Sequence, residues 1–218
     1  MMKEISIIIP VAPGDGEWKK LVGDLKFIFG KAEIILASAI KPENLPAGIS
    51  WAECKGGRAK CLNAGAKMAG KKFLWFLHAD SRLDNSTLKV LENALLKKPL
   101  ALHYFQLEFL DDGPNLMWLN AIFANLRSRI LLAPFGDQGF CIQKDIFEKI
   151  GGYPEGLAYG EDNVFVWRTR KAGIKLSCAP AHLLTSARKY EEQGWPKTTF
   201  DHLWLWAKQT FALALGKL

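Results

Sequence analysis

The sequence predicts an α/β fold: a mostly parallel central sheet flanked by helices, with a second half in which the sheet becomes mixed. Three short apolar runs, "ISIII" at 5–9, "EIILA" at 33–37 and "FLWFL" at 73–77, have strand length and are continuous enough to be buried on both faces. Between them the periodicity is helical. Leu62, Ala66 and Ala69 share one face of "GRAKCLNAGAKMAG", and Leu88, Leu91 and Leu95 share one face of "STLKVLENALLKK". Strand and helix alternating in this way imply parallel strands joined by crossover helices.

Asn85 or Ser86 is the expected N-cap of the helix after the third run, and Pro99 marks its end. In the second half, "ALHYFQLEFL" reads as a longer strand and "PNLMWLNAIFANLRSRILL" as an amphipathic helix opened by Pro114. "QGFCIQ" then reads as a short strand running into the helix "KDIFEKIGG", which Gly151 and Gly152 end. No repeat, low-complexity tract or linker interrupts the pattern, so a single domain over 1–218 is expected.

A chain of 218 residues that is 49% hydrophobic can bury one good core. Its net charge of +7 suits an anionic partner: a phosphate-bearing substrate, nucleic acid or an acidic membrane surface. Lys and Arg come in pairs, without a basic stripe interleaved with aromatics, which argues against nucleic acid. Cys54, Cys61, Cys141 and Cys178 include no C-x-x-C pair and lie in or beside apolar segments. They are expected to be reduced thiols in a cytoplasmic compartment, with no zinc site. The first apolar run ends at Pro10, too short for a signal peptide, and no 18-residue apolar window suggests a spanning helix. A terminal helix is expected at 195–218. It either docks on the core or, through Trp195, Trp204 and Trp206, lies on a membrane surface.

In open α/β sheets ligands collect at the carboxyl ends of the strands, and there the third run delivers His78, Ala79 and Asp80. Asp80 at that rim can meet a divalent cation or a ligand hydroxyl; as an alternative it caps the following helix. A second constellation holds Asp137 and Gln138 between glycines, and Glu161 with Asp162 ahead of the helical "NVFVWRTRKAG". Paired acids at a helix start also complement the macrodipole, but that leaves the crowding of glycines around each acid unexplained.

"SIIIPV", "GRAKCLNAGAKMA", "FLHADS", "RSRILLAPFGDQGFCI", "FEKIGGYPE", "GED" at 160–162 and "SARKYEEQGW" occur in the order seen in a known family. Over nearly its whole length the chain resembles a short family 2 glycosyltransferase of the compact bacterial subgroup associated with radical-SAM and selenium-related genes. The resemblance implies a Rossmann-like glycosyltransferase A fold with a nucleotide-sugar half at about 1–82 and an acceptor half at about 83–190. It implies Asp80, with His78, as the site of Mg²⁺ or Mn²⁺ on the donor diphosphate. Asp162, beside Glu161, would be the base for an inverting transfer to the hydroxyl of an unspecified acceptor, a lipid-linked one among the options. Pro10, Glu17, Arg58, Asn63, Asp137, Gln138, Arg188 and Lys189 would serve the donor, the last two from the loop after the final strand. Two positions depart from the pattern. "PVAPGDGEWKK" replaces the Asn-Glu pair after the first strand, and Ala37, Ser38 and Ala39 stand where an Asp usually holds the base. A sugar or cofactor nucleotidyltransferase and a binding module that has lost nucleotide affinity are the alternative readings.

Overall fold

A computed structural model of the chain describes residues 1–217, the side chain of Asn85 excepted. The strands are β1 (Ile5–Pro10), β2 (Glu33–Ser38), β3 (Ile49–Glu53), β4 (Phe73–Phe76), β5 (Leu102–Phe109), β6 (Cys141–Gln143) and β7 (Leu176–Thr185). They form one seven-stranded sheet in the order β3-β2-β1-β4-β6-β5-β7. β1 pairs in parallel with β2 and β4, β2 with β3, and β5 with β7, whereas β6 runs antiparallel to both β4 and β5. The expected parallel first half and mixed second half are both present.

The helices are α1 (Trp18–Asp24), α2 (Arg58–Met68), α3 (Asn85–Lys97), α4 (Met117–Ile130), α5 (Lys144–Lys149), α6 (Glu161–Lys171), α7 (Arg188–Gln193) and α8 (Trp195–Ala214). Alternation along the strands divides the core in two. Ile5, Ile7, Ile9, Phe73, Trp75 and Leu77 face one layer with Leu21 of α1 and Leu91 of α3. Ile8, Leu74 and Phe76 face the other with Leu62 of α2 and Phe165 of α6. Burial on both faces accounts for strands that read as unbroken apolar runs.

Three features differ from the sequence reading. β3 lies at the sheet edge, and its alternating Ile49, Ser50, Trp51, Ala52 and Glu53 form no apolar run. The cap of α3 is Asp84, whose carboxylate accepts from the backbone N–H groups of Ser86 and Thr87 at 2.8 and 2.9 Å. The four cysteines are not all free thiols. Cys54 and Cys61, with Cα atoms 5.1 Å apart, form a disulfide, while Cys141 and Cys178 remain unpaired. The turn between β3 and α2 brings the first two to bonding distance, so the expectation of a reducing compartment loses the thiol argument on which it rested.

α2 lies close against β1. A Cβ at Gly65 would stand 2.5 Å from the Ile8 Cγ2, so the helix reaches this depth only with glycine there. Gly65→Val is expected to lower stability by about 1–3 kcal/mol through overpacking, measured as a shift of the urea midpoint at constant slope.

Candidate functional site

β5 and β7 share the direction of β1 and β4, so all four strands end at one edge of the sheet, and β6 alone begins there. The turn Gly136–Gln138 that feeds β6 therefore enters at the edge where β4 delivers His78 and Asp80. A cavity of about 850 Å³ opens at that edge. Arg58, His78, Asp80, Asp137, Glu161 and Asp162 line it together.

Each acid is placed by local structure. With Asp84 capping α3, Asp80 is left free to face the cavity, and one of its oxygens accepts from the Thr185 hydroxyl at 3.4 Å. Backbone hydrogen bonds in both directions between Arg82 and Leu184 pin the segment that follows, and Arg82 grips Asp24 through two nitrogens. Glu161 and Asp162 open α6, where its N-terminal dipole favours negative charge. A Cβ on Gly136 would lie 2.6 Å from an Asp162 oxygen, so glycine is what lets the turn pass this carboxylate.

Arg58, the first residue of α2, joins the acids. Its Nε donates to Glu161 and its Nη2 to Asp162, each at 2.6 Å, and its Nη1 lies 3.1 Å from His78 Nε2. Burial pulls the Arg58 pKa down, but the charges of Asp162 and Glu161 outweigh it and hold the guanidinium more firmly protonated than usual. His78 is driven the other way, to about 4, by burial and then by Arg58, so it is neutral at pH 7. The Oδ1 atoms of Asp162 and Asp137 are buried and have no hydrogen-bond partner among the described residues. Burial raises Asp137 to about 6, with Arg127 opposing and Asp162 adding to the rise.

Of the other expected donor residues, Lys189 lines the cavity and the rest lie elsewhere. Pro10 ends β1 inside the sheet, in register with Ala37. Asn63 spends its amide on Tyr153 and Glu155, tying α2 to the loop after α5. Gln138 is fully buried and bonded to Ser128, Phe105 and the Phe135 backbone. Glu17 takes hydrogen bonds from Lys20 and from Arg188, which bridges from α7 at 3.0 Å. Lys189 does line the cavity, and both basic residues stand on the short helix α7, where a loop was expected. At the end of β2, where the family pattern has an Asp, the Ser38 hydroxyl donates to Ile40 O and accepts from the Trp51 indole.

The sequence reading did not find Arg127, Tyr190, His202 or Gln209, which also line the cavity. Arg127 carries its guanidinium 3.4 Å from the centre of the Phe135 ring, and burial lowers its pKa to about 10. The available signal was an arginine sharing one helical face with Asn120, Ala124 and Leu131.

No family model matches the chain, and no curated protein matches it in sequence. Solved structures do. S. aureus TarS superposes with a TM-score of 0.65 at 16% identity over 84% of this chain and 37% of its own. TarS 1–349 in complex with UDP-GlcNAc gives 0.65 at 16% identity, over 84% of this chain and 58% of that one. The complex of TarS 1–349 with UDP gives 0.61 at 17% identity, over 84% and 60%. The chain thus spans less than two thirds of the length of these structures, and what they share is the fold: the glycosyltransferase A architecture.

A protonated Asp137 makes folding depend on pH. Between its ordinary value near 3.8 and about 6 the folded state holds a proton that the unfolded chain has released, so this group's contribution to stability falls as pH rises. His78 acts oppositely between about 4 and 6.5, where the unfolded chain binds the extra proton. Asp137→Asn removes only the falling contribution. Relative to the parent, the variant is expected to gain stability steadily from about pH 4 to about pH 6, read from urea midpoints across that range.

Proposed function

We propose that the chain is a glycosyltransferase moving a sugar from a nucleotide-diphosphate donor to an acceptor hydroxyl with inversion. One observation carries the reading: Asp80 and Asp162, from opposite halves of the sequence, line a single cavity at the carboxyl edge of the sheet. The shared fold with TarS, which has been crystallised with UDP-GlcNAc and with UDP, supports a nucleotide-sugar donor. So does the order of motifs along the chain.

In this reading the acceptor oxygen attacks the anomeric carbon as the bond from that carbon to the diphosphate oxygen breaks. The acceptor proton passes to the carboxylate of Asp162, which lines the cavity and whose Oδ1 has no hydrogen-bond partner among the described residues. Arg58 holds the other oxygen of Asp162. A diphosphate entering the cavity competes for that guanidinium, and its phosphate oxygens offer Arg58 an alternative charge-assisted partner to the carboxylate. Lys189, exposed on the cavity wall, and Arg188 beside it offset the remaining negative charge.

Asp80 presents a hard oxygen donor, and His78 is neutral, the form that ligates metals, although Arg58 already engages its Nε2. Among the described residues no cluster of three or more His, Cys, Asp or Glu could hold an ion. Asp80, with His78 beside it, would hold Mg²⁺ or Mn²⁺ together with substrate phosphates, as an ion carried by one or two side chains is held. When bound, such an ion stabilises charge on the leaving diphosphate.

Two variants separate the roles, with calorimetry for donor binding and nucleoside-diphosphate release for turnover. Asp80→Ala is expected to weaken Mn²⁺-dependent binding of a nucleoside-diphosphate sugar. Asp162→Asn is expected to keep that binding and to lose about 10²- to 10⁴-fold in turnover. Parent-like behaviour of both variants, or no binding heat from the parent with any nucleoside diphosphate, sinks the assignment.

A further inference from the structure

The outer part of the cavity lies between α4 and α8, and α8 is seated in an unusual sense. Asn163 of α6 donates to Gln209 and Thr210 at 3.0 and 3.1 Å, and Gln209 in turn donates to Tyr159 O at 3.1 Å. On the other flank Asn120 of α4 donates to Thr199 at 3.0 Å and accepts from the Trp195 indole at 3.1 Å. The helix thus docks largely through amides and hydroxyls. Leu205, Trp206 and Leu213 turn inward, but three large apolar groups point away from the protein: Phe200, Trp204 and Phe211 are 66%, 60% and 67% exposed. An amphipathic helix packed on a water-soluble domain turns the opposite way.

α4 repeats the arrangement, with Trp118, Phe123 and Ile130 exposed by 58%, 62% and 71%. Phe123, Ile130 and Leu203 both line the cavity and reach the surface, so its apolar wall continues past the mouth onto an exposed apolar face. At the inner end stand Asp80 and Asp162. A ligand that satisfies both ends has a hydroxyl at one extremity and hydrocarbon at the other. The net charge of +7 favours finding that hydrocarbon in an anionic surface.

We propose that the acceptor is an amphiphilic alcohol of an anionic lipid surface, its hydroxyl at Asp162 and its hydrocarbon body lying between α4 and α8 and continuing into the membrane. The proposal rests on the transferase reading, which it deepens by naming the acceptor class. It makes Phe123 and Leu203 specificity determinants, since they form the passage from acids to surface.

The test uses the full chain, a series of n-alkyl β-glucosides below their micelle concentrations, and vesicles of phosphatidylcholine with and without phosphatidylglycerol. The parent is expected to bind the glucosides with affinity rising about fourfold per added methylene, to give no signal with free glucose, and to float with the anionic vesicles. Phe123→Asp and Leu203→Asp, both at exposed positions, are expected to weaken each interaction at least about tenfold while keeping the parent's thermal midpoint. A flat response along the glucoside series overturns the proposal, and so do variants that bind as the parent does. Sedimentation showing a parent dimer that both variants convert to monomer also overturns it, since a second copy then covers this face. Heat on titration with UDP and Mn²⁺ is read separately. Its absence from a panel of nucleoside diphosphates removes the transferase reading, whereas its presence beside a flat glucoside series removes only the acceptor class.

Discussion

The guanidinium of Arg58 is the contact on which the site depends. It joins the start of α2 to the start of α6, spanning residues 103 and 104 positions away in sequence. Two adjacent carboxylates whose side chains are only 12% and 10% exposed repel each other and have lost most of their water. Removing the shared partner of such a pair leaves buried charge uncompensated, which is far more costly than the small net gain of the ion pair itself. The arginine is fixed in turn by packing: Gly65, two turns further along α2, lets the helix settle onto Ile8, and that depth sets how far Arg58 reaches across the edge. On the other side α6 is held through Phe165, which stacks on Tyr153 with ring centres 4.5 Å apart. Charge geometry at the site is therefore set by how two helices rest on opposite halves of one sheet.

The reversed strand supplies the rest. With β6 parallel to its neighbours, the turn at Gly136–Gln138 would emerge at the far edge, and Asp137 would be remote from Asp80 and Asp162. Antiparallel insertion between β4 and β5 brings the turn to the functional edge. Gln138 then anchors it from inside, its amide spent on Ser128, Phe105 and the Phe135 backbone. The two neighbours divide the work: the buried amide fixes the turn, and the adjacent carboxylate lines the cavity.

Much of this was readable in the sequence where a single physical cause dominates. β1, β2 and β4 stood out because burial on both faces makes their runs almost wholly apolar; Asp80 stood out because it follows such a run, and Asp162 because it pairs with Glu161 at a helix start crowded by glycines. β3 escaped because an edge strand buries little: Ile49 reaches one core layer and Ala52 the other, with polar or half-exposed residues between and beside them. The cap of α3 went to Asp84 rather than Asn85 or Ser86 because a carboxylate one residue earlier reaches both free N–H groups. Asn63 and Gln138 carry no sequence mark that separates an amide facing a ligand from one consumed by the backbone nearby. The Cys54–Cys61 bridge was equally hidden, since it depends on how tightly the turn before α2 closes and not on spacing alone.

The terminal helix shows the limit of periodicity most directly. A helical repeat of apolar residues establishes that a stripe exists, but not which way it faces. For α8 that choice is made by matched polar groups: Asn163 with Gln209, and Asn120 with Thr199 and Trp195. Each such bond is worth only about 1 kcal/mol net, but leaving a buried amide unpaired costs about 1–3 kcal/mol. Turning the helix to hide Phe200, Trp204 and Phe211 would carry Gln209 and Thr199 away from their partners and leave Asn163 of α6 and Asn120 of α4 facing apolar side chains. A few amides thus hold an apolar surface outward against the hydrophobic effect, and beside the mouth of the cavity that surface is available to a partner as apolar as itself.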